Sequence, residues 1–218
     1  MIFTYWHVFI SLIILIIVGI LEIFMVENME YKEYNKKPLF DHLHKIMPEI
    51  SADIPTQIAV MLMIYTVVRF YNKPEILTFY FFSTTVMLIG RLSTFSITQT
   101  PPVTVVGDMN RHTRCKRTMF QKLGFKFDLS ETCMDNMFSA HTANSIIPMM
   151  MVLLYSNYKY EKIAISIIAL VNAFFVIISR LHYSADVIVS VFLSITTPLA
   201  LKYTFIDKII KNKKVLKL

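Results

Sequence analysis

Two short stretches of the chain combine histidine with other hydrogen-bonding or titratable groups. The first, residues 133–142, leads into an apolar block and includes Asp135, Ser139, His141 and Thr142. The second, residues 180–186, follows a later apolar block and includes Arg180, His182, Tyr183, Ser184 and Asp186. We predict that the two stretches face each other across one site.

The spacing of His182 and Asp186 favours cooperation between their side chains. Residues four apart share one face of a helix, so a helix that begins near Leu181 would let the carboxylate accept a hydrogen bond from one imidazole nitrogen. The other nitrogen would then be available as a nucleophile or base. His141, on another helix, is the candidate partner acid or base. The pattern predicts a two-step group transfer in which His141, His182 and Asp186 are catalytic.

Arginine side chains indicate which group is transferred. Arg91 lies inside an apolar block, where its charge needs a partner or a ligand, and Arg180 lies close to the second histidine. Guanidinium binds phosphate well, and a helix N-terminus capped by Ser139 would also favour an anion. We therefore predict phosphoryl chemistry, with a phosphohistidine on His182 and a phosphate held by Arg91, Ser139 and Arg180. We expect no metal and no cofactor, since Walker-type, Cys-x-x-Cys and His-Glu-x-x-His motifs are absent from the sequence.

Two other interpretations of the histidines stay open on these arguments. Each histidine can be an ordinary interfacial residue at a helix end. Two histidines on different spans can also ligate haem, although a nearby carboxylate and two arginines are an unusual environment for haem.

The hydropathy pattern is typical of a polytopic membrane protein. The 218 residues are 55% hydrophobic, the mean hydropathy is +0.54, and the apolar residues come in blocks of about twenty. We predict an all-α protein with one integral membrane domain, residues 1–218. Its six transmembrane helices are expected at about residues 6–26, 54–71, 74–97, 138–155, 163–181 and 183–205.

Six spans would place both chain ends on one side of the membrane and both histidine stretches on the other. The second side would also hold Arg91 and the loops 27–53 and 98–137. Because the positive-inside rule discounts long loops, the basic residues of the short turns and of the tail, residues 205–218, favour a cytoplasmic tail. The site is then expected to be lumenal or extracellular. The net charge of +7 fits anionic lipid head groups, and no nucleic-acid partner is expected.

The two long loops carry further residues of interest. In the first loop we expect one short surface helix, with His42 and His44 solvated. The second loop holds Cys115 and Cys133, which can pair if the loop faces an oxidising compartment and are otherwise free thiols.

At the histidine stretches the sequence resembles the sphingomyelin synthase family, within the type 2 phosphatidic acid phosphatase superfamily. That family carries Cys-Gly-Asp, three further residues and Ser-Gly-His-Thr, and later His-Tyr-Ser/Thr-x-Asp-Val. The matching residues here are Cys133, Asp135, Phe138, Ser139, His141, Thr142, His182, Tyr183, Ser184, Asp186 and Val187. Arg91 and Thr98, ahead of Pro101-Pro102, are similar to the end of the family's second motif, and the resemblance covers about residues 40–204.

The resemblance implies a phosphatase-like six-helix bundle that moves phosphocholine or phosphoethanolamine from a glycerophospholipid to ceramide and releases diacylglycerol. His182 would attack phosphorus with support from Asp186. His141 would protonate the diacylglycerol oxygen and then deprotonate the ceramide hydroxyl. The implied partners are membrane phospholipids, ceramide and diacylglycerol, and self-association into a homo-oligomer is left open.

The chain also departs from the family pattern. Met134 and Ala140 replace the two motif glycines, and Leu88, Thr78 and Phe79 stand where the family has a tyrosine and paired arginines. Inositol phosphate donors are therefore also compatible with the sequence. The alternative function is a lipid phosphate phosphatase that uses the same residues with water as acceptor, and a third is a non-catalytic lipid-binding or scaffold protein.

Overall fold

The computed structural model describes residues 5–28, 39–97 and 138–206. These residues form seven α-helices and one π-helical turn, and the described ranges contain no strand. The elements are α1 (Tyr5–Asn28), α2 (His42–Ile46), α3 (Asp53–Arg69), α4 (Pro74–Ile97), α5 (Ala140–Tyr155), α6 (Lys159–Ile178), α7 (Ser184–Leu201) and the π-helical turn (Lys202–Ile206). The loop 98–137, with Asp135, Cys115, Cys133 and Met134, lies outside the described residues, as does the tail from residue 207.

Four of the described helices, α1, α4, α6 and α7, are long and apolar enough to cross a membrane. The helices α3 and α5 are shorter, with 17 and 16 residues. The described part of the chain is thus all-helical, as predicted, and its apolar helices fit an integral membrane protein.

Helix α5 is the centre of the bundle, because it packs against α3, α4, α6 and α7. Its middle residues Ile146, Ile147, Met151 and Val152 are completely buried. Helix α1, in contrast, lies at the periphery, packs mainly on α4 and exposes most of its apolar side chains. The central position of α5 brings the partly exposed His141, near its N-terminus, to one end of the bundle.

Contacts between helix ends show that the main helices alternate in direction. At one end of the bundle, Arg69 at the end of α3 donates to Glu161 near the start of α6, with Nε 2.7 Å from Oε1. Glu161 also accepts hydrogen bonds from Tyr65 and Ser156. At the other end lie the end of α4, the start of α5 and the α6–α7 turn. His141 and His182 therefore lie at the same end of the bundle.

The boundaries of α6 differ from the predicted span 163–181. The helix begins four residues earlier, at Lys159, because the charge of Glu161 is paired with Arg69 and need not lie outside the bundle. It ends three residues earlier because Arg180 has a φ of 55°. This left-handed conformation is uncommon outside glycine and is typical of the residue that terminates a helix.

Candidate active site

The two histidines of the sequence motifs lie side by side. His141 is the second residue of α5, and His182 lies in the turn between α6 and α7. Their ring centroids are 6.1 Å apart and their planes are tilted by 57°. His182 is 1% exposed, whereas His141 is partly exposed. The predicted convergence is therefore present in the structure for His141 and His182.

The relation between His182 and Asp186 differs from the prediction. Helix α7 begins at Ser184 rather than near Leu181, so His182 precedes the helix and Tyr183 is its N-cap residue, in extended conformation. The distance from His182 Nδ1 to Asp186 Oδ2 is 4.0 Å, which is longer than a hydrogen bond. Asp186 instead accepts the Tyr183 N–H at 3.3 Å, as an acidic side chain in the first turn of a helix commonly does.

Ser139 is the N-cap residue of α5 and connects that helix to α7. Its Oγ accepts the Thr142 N–H at 3.2 Å and the Thr142 hydroxyl at 3.1 Å. Its own N–H donates to Ser190 Oγ at 2.5 Å, and Ser190 donates to the Asp186 carbonyl at 2.7 Å. These buried bonds fix the start of α5 against α7 and so position His141 relative to Asp186.

Arg91 forms a buried ion pair with Glu22 of α1. Arg91 Nη1 lies 2.7 Å from Glu22 Oε1, which is the geometry of a strong charge-assisted hydrogen bond. Arg91 is 5% exposed, and its Nε has no hydrogen-bond partner among the described residues. The positive charge of Arg91 also lowers the pKa of His182. Arg91 therefore belongs to the histidine site and has both a partner and a spare donor.

Arg180 contacts the segment 39–50. Its Nη2 donates to the His44 carbonyl at 3.1 Å, and its Nε lies 3.7 Å from Glu49 Oε2. These contacts hold the segment against the α6–α7 turn. The role of Arg180 in phosphate binding stays a prediction, since its guanidinium contacts are with this segment.

The segment 39–50 also covers the N-terminus of α7. The Leu39 N–H donates to the Tyr183 hydroxyl at 3.1 Å, and His44 stacks on the Tyr183 ring with centroids 6.0 Å apart. The prediction of a short surface helix here is confirmed by α2, and His42 is exposed. The prediction that His44 is solvated is wrong, because its side chain is only 11% exposed.

A buried amide lies behind His141. Asn172 of α6 donates to Ser145 Oγ at 2.6 Å, and Ser145 donates to the His141 carbonyl at 3.1 Å. Asn172 is completely buried, and its Oδ1 has no hydrogen-bond partner among the described residues. A polar network inside an apolar bundle is costly unless it is paired, so it marks a position under functional or structural constraint.

Several residues of this arrangement were missed in the sequence, among them Glu22, Asn172 and Asp41. Glu22 carried a usable signal, because it is an acidic residue inside the first apolar block and has the opposite charge to Arg91 inside the third. Asn172 carried a weaker signal, a lone amide in an apolar run. Asp41 carried none, because acidic residues are ordinary in a polar loop.

The site offers two opposed imidazoles, a carboxylate and a guanidinium in a largely dry setting. Burial above all, with the charges of Arg91 and His141, holds the pKa of His182 well below its ordinary value of 6.5. The imidazole of His182 is therefore neutral at physiological pH and has a lone pair with which it can attack an electrophile. The arrangement can carry out nucleophilic transfer of an anionic group.

One comparison with known proteins gave a match. Residues 132–204 match the family model described as PAP2 superfamily C-terminal, and no curated protein is significantly similar to the chain. The matched region begins before Ser139 and His141 and ends in the π-helical turn after α7, so it includes both histidines and Asp186. This match covers about a third of the chain and supports a relation of that region to the type 2 phosphatidic acid phosphatase superfamily, which suggests an enzyme that handles phosphoryl groups as a phosphatase or a transferase.

Proposed function

We propose that the protein is a lipid head-group phosphotransferase of the sphingomyelin synthase type. It moves phosphocholine or phosphoethanolamine from a glycerophospholipid to ceramide and releases diacylglycerol. The observation that carries the proposal is the opposed pair His141 and His182, with 6.1 Å between ring centroids, because a phosphorus atom between them can meet both a nucleophile and a proton donor.

The reaction has two steps. His182 attacks phosphorus while the bond to the diacylglycerol oxygen breaks, and protonated His141 gives its proton to that oxygen. Neutral His141 then removes the proton from the ceramide hydroxyl, whose oxygen attacks the phosphohistidine and frees His182. Arg91 binds the non-bridging oxygens and the negative charge that they carry, and Asp186, 4.0 Å away, favours the positive charge on His182.

Burial supports transfer to a lipid in preference to hydrolysis. Ser139, Thr142, His182 and Asp186 are all buried, and a dry site protects a reactive phosphohistidine from water. The superfamily match itself is equally compatible with the second candidate, a lipid phosphate phosphatase with water as acceptor.

The same proposal includes six membrane spans, with α3 and α5 added to the four long helices. A helix of 17 residues is about 25 Å long, somewhat less than the hydrocarbon core of a bilayer. Helix α5 is enclosed by other helices and need not meet lipid along its length. We place the site on the lumenal or extracellular face and the tail in the cytoplasm.

A product assay tests the function. The purified protein is incubated in vesicles with ceramide and phosphatidylcholine that is labelled in its head group. We expect label in a sphingolipid and none with His182→Ala. Label that appears only in free phosphocholine or phosphate would contradict the transferase and support hydrolysis.

A further inference from the structure

The ion pair between Glu22 and Arg91 brings an acidic side chain next to the proposed phosphate-binding arginine. Glu22 Oε1 lies 2.7 Å from Arg91 Nη1, and the side chains of Glu22 and Arg91 are 13% and 6% exposed, respectively. Helix α1 packs mainly on α4, and Glu22 connects it to Arg91 of that helix. A carboxylate directly beside a phosphate-binding residue would repel a simple phosphate. The position of Glu22 beside Arg91 therefore needs an explanation.

Arg91 can bind a phosphate without leaving the site. Its Nε is buried and has no hydrogen-bond partner among the described residues, so the guanidinium has a free donor besides the one that Glu22 uses. A phosphate bound to this donor would neutralise the charge that Glu22 now shares. The carboxylate would then need a different positive partner, because an unpaired charge in this setting is unfavourable.

We infer that Glu22 is a head-group specificity residue that binds the ammonium group of the donor phospholipid while Arg91 binds its phosphate. The inference rests on the proposed function. Choline and ethanolamine head groups carry a negative phosphate and a positive nitrogen, and they therefore match an adjacent guanidinium and carboxylate charge for charge. Inositol and a bare phosphate monoester supply no cation, so their binding would leave Glu22 unpaired. Such a cost against the wrong ligand is a common source of specificity.

The test compares donors in the wild-type protein and in Glu22→Gln. Glutamine keeps the size of the side chain and its carbonyl oxygen can still accept a hydrogen bond from Arg91, so Arg91 stays oriented. The donors are phosphatidylcholine, phosphatidylethanolamine, phosphatidylinositol and phosphatidic acid in matched vesicles. In Glu22→Gln we expect kcat/KM for phosphatidylcholine and phosphatidylethanolamine to fall at least about tenfold relative to kcat/KM for phosphatidylinositol and phosphatidic acid.

Glu75→Gln is the matched control. Glu75 is exposed in the first turn of α4, about 24 Å along the helix from Arg91 at 1.5 Å per residue. Its substitution removes the same charge and should leave the donor profile unchanged. An equal loss for every donor in Glu22→Gln, or no loss for any, would overturn the inference.

A binding measurement separates failure of this inference from failure of the proposed function. If the wild-type protein transfers no head group, the proposed function fails, but soluble short-chain phosphatidylcholine and phosphatidic acid can still be compared by the rise that each causes in the unfolding temperature. Loss of the phosphatidylcholine effect alone in Glu22→Gln would support the role of Glu22. Retention of both effects would refute it.

Discussion

Asp41 accepts two hydrogen bonds from Ser184, a residue 143 positions later in the chain. The Ser184 N–H lies 2.6 Å from Asp41 Oδ2, and the Ser184 hydroxyl lies 2.9 Å from Oδ1. The same carboxylate caps α2. One side chain thus fastens the segment 39–50 to the first residue of α7, two residues after His182.

Replacement of Asp41 by asparagine should loosen this attachment. Hydrogen bonds to a charged group contribute about 1.5–3 kcal/mol, and asparagine can reproduce only part of them. We expect a lower unfolding temperature and faster proteolysis within residues 39–50, both measured in detergent. The same substitution at Asp53, an exposed residue, is the control, and equal effects of the two would contradict the assignment.

The pH dependence of the attachment follows from the carboxyl group. Burial opposes ionisation, but the bonds from Ser184 outweigh it, so the pKa of Asp41 is lowered from its ordinary value of 3.8. A lowered folded-state pKa gives stability that is complete above the unfolded value and is lost as the pH falls through the folded one. Proteolysis of the segment should therefore rise only below about pH 4 in the wild type, and acid should have a smaller effect in Asp41→Asn.

Replacement of His182 by alanine and replacement of His141 by alanine should have different effects on phosphoprotein formation and turnover. His182→Ala removes the nucleophile, so samples quenched in alkaline detergent, which preserves phosphohistidine, should contain labelled phosphoprotein for the wild type and none for the variant. His141→Ala removes an acid–base group, which is worth about 10²–10⁴ in rate, and should slow turnover while phosphohistidine still forms slowly. Rapid quenching with head-group-labelled donor measures both. Undiminished phosphoprotein in His182→Ala would contradict the assignment of the nucleophile.

The depressed pKa of His182 should make the fold sensitive to acid. Because the folded protein keeps this imidazole neutral while the unfolded chain protonates it below its ordinary pKa of 6.5, stability is complete above that pH and falls below it. The loss is about 1.4 kcal/mol per pH unit while the folded form stays neutral. Glutamine does not titrate and does not lose stability in this way. As the pH is lowered from 7.5 to 5.5, the unfolding temperature of His182→Gln should therefore rise relative to that of the wild type. A constant difference would show that His182 titrates normally.

Asn172 and Ser145 should behave as a coupled pair. Ser145→Ala leaves the buried Asn172 amide without its acceptor, and Asn172→Leu removes the amide altogether. Interhelical hydrogen bonds in membrane proteins average about 0.6 kcal/mol, whereas an unpaired buried group costs about 1–3 kcal/mol. The double variant should therefore be less destabilised than the sum of the single variants in a thermal-unfolding cycle. Strict additivity would remove the proposed coupling.

Much of the helical plan was predictable because long apolar blocks have few alternatives to helix in a membrane. The predicted span 74–97 coincides with α4, and the other predicted spans overlap the observed helices. The predicted helix boundaries are wrong where a tertiary contact overrides the preference of the local sequence. Glu161 enters α6 because Arg69 meets it, and α7 begins late because Tyr183 is held in extended conformation as its cap.

The sequence by itself predicted most of the helices, and it indicated that His141, His182, Asp186 and Arg91 lie near one another, because apolar blocks and motif spacing can be recognised without knowledge of the packing. Only the tertiary structure decided that Glu22 pairs with Arg91 and that Asp41 binds Ser184. Such pairs depend on the depth and rotation at which distant helices pack, and neither quantity is encoded in the pattern of any single segment. The sequence therefore predicted that the two motif histidines meet, whereas the partners Glu22 and Asp41 depended on how the helices pack.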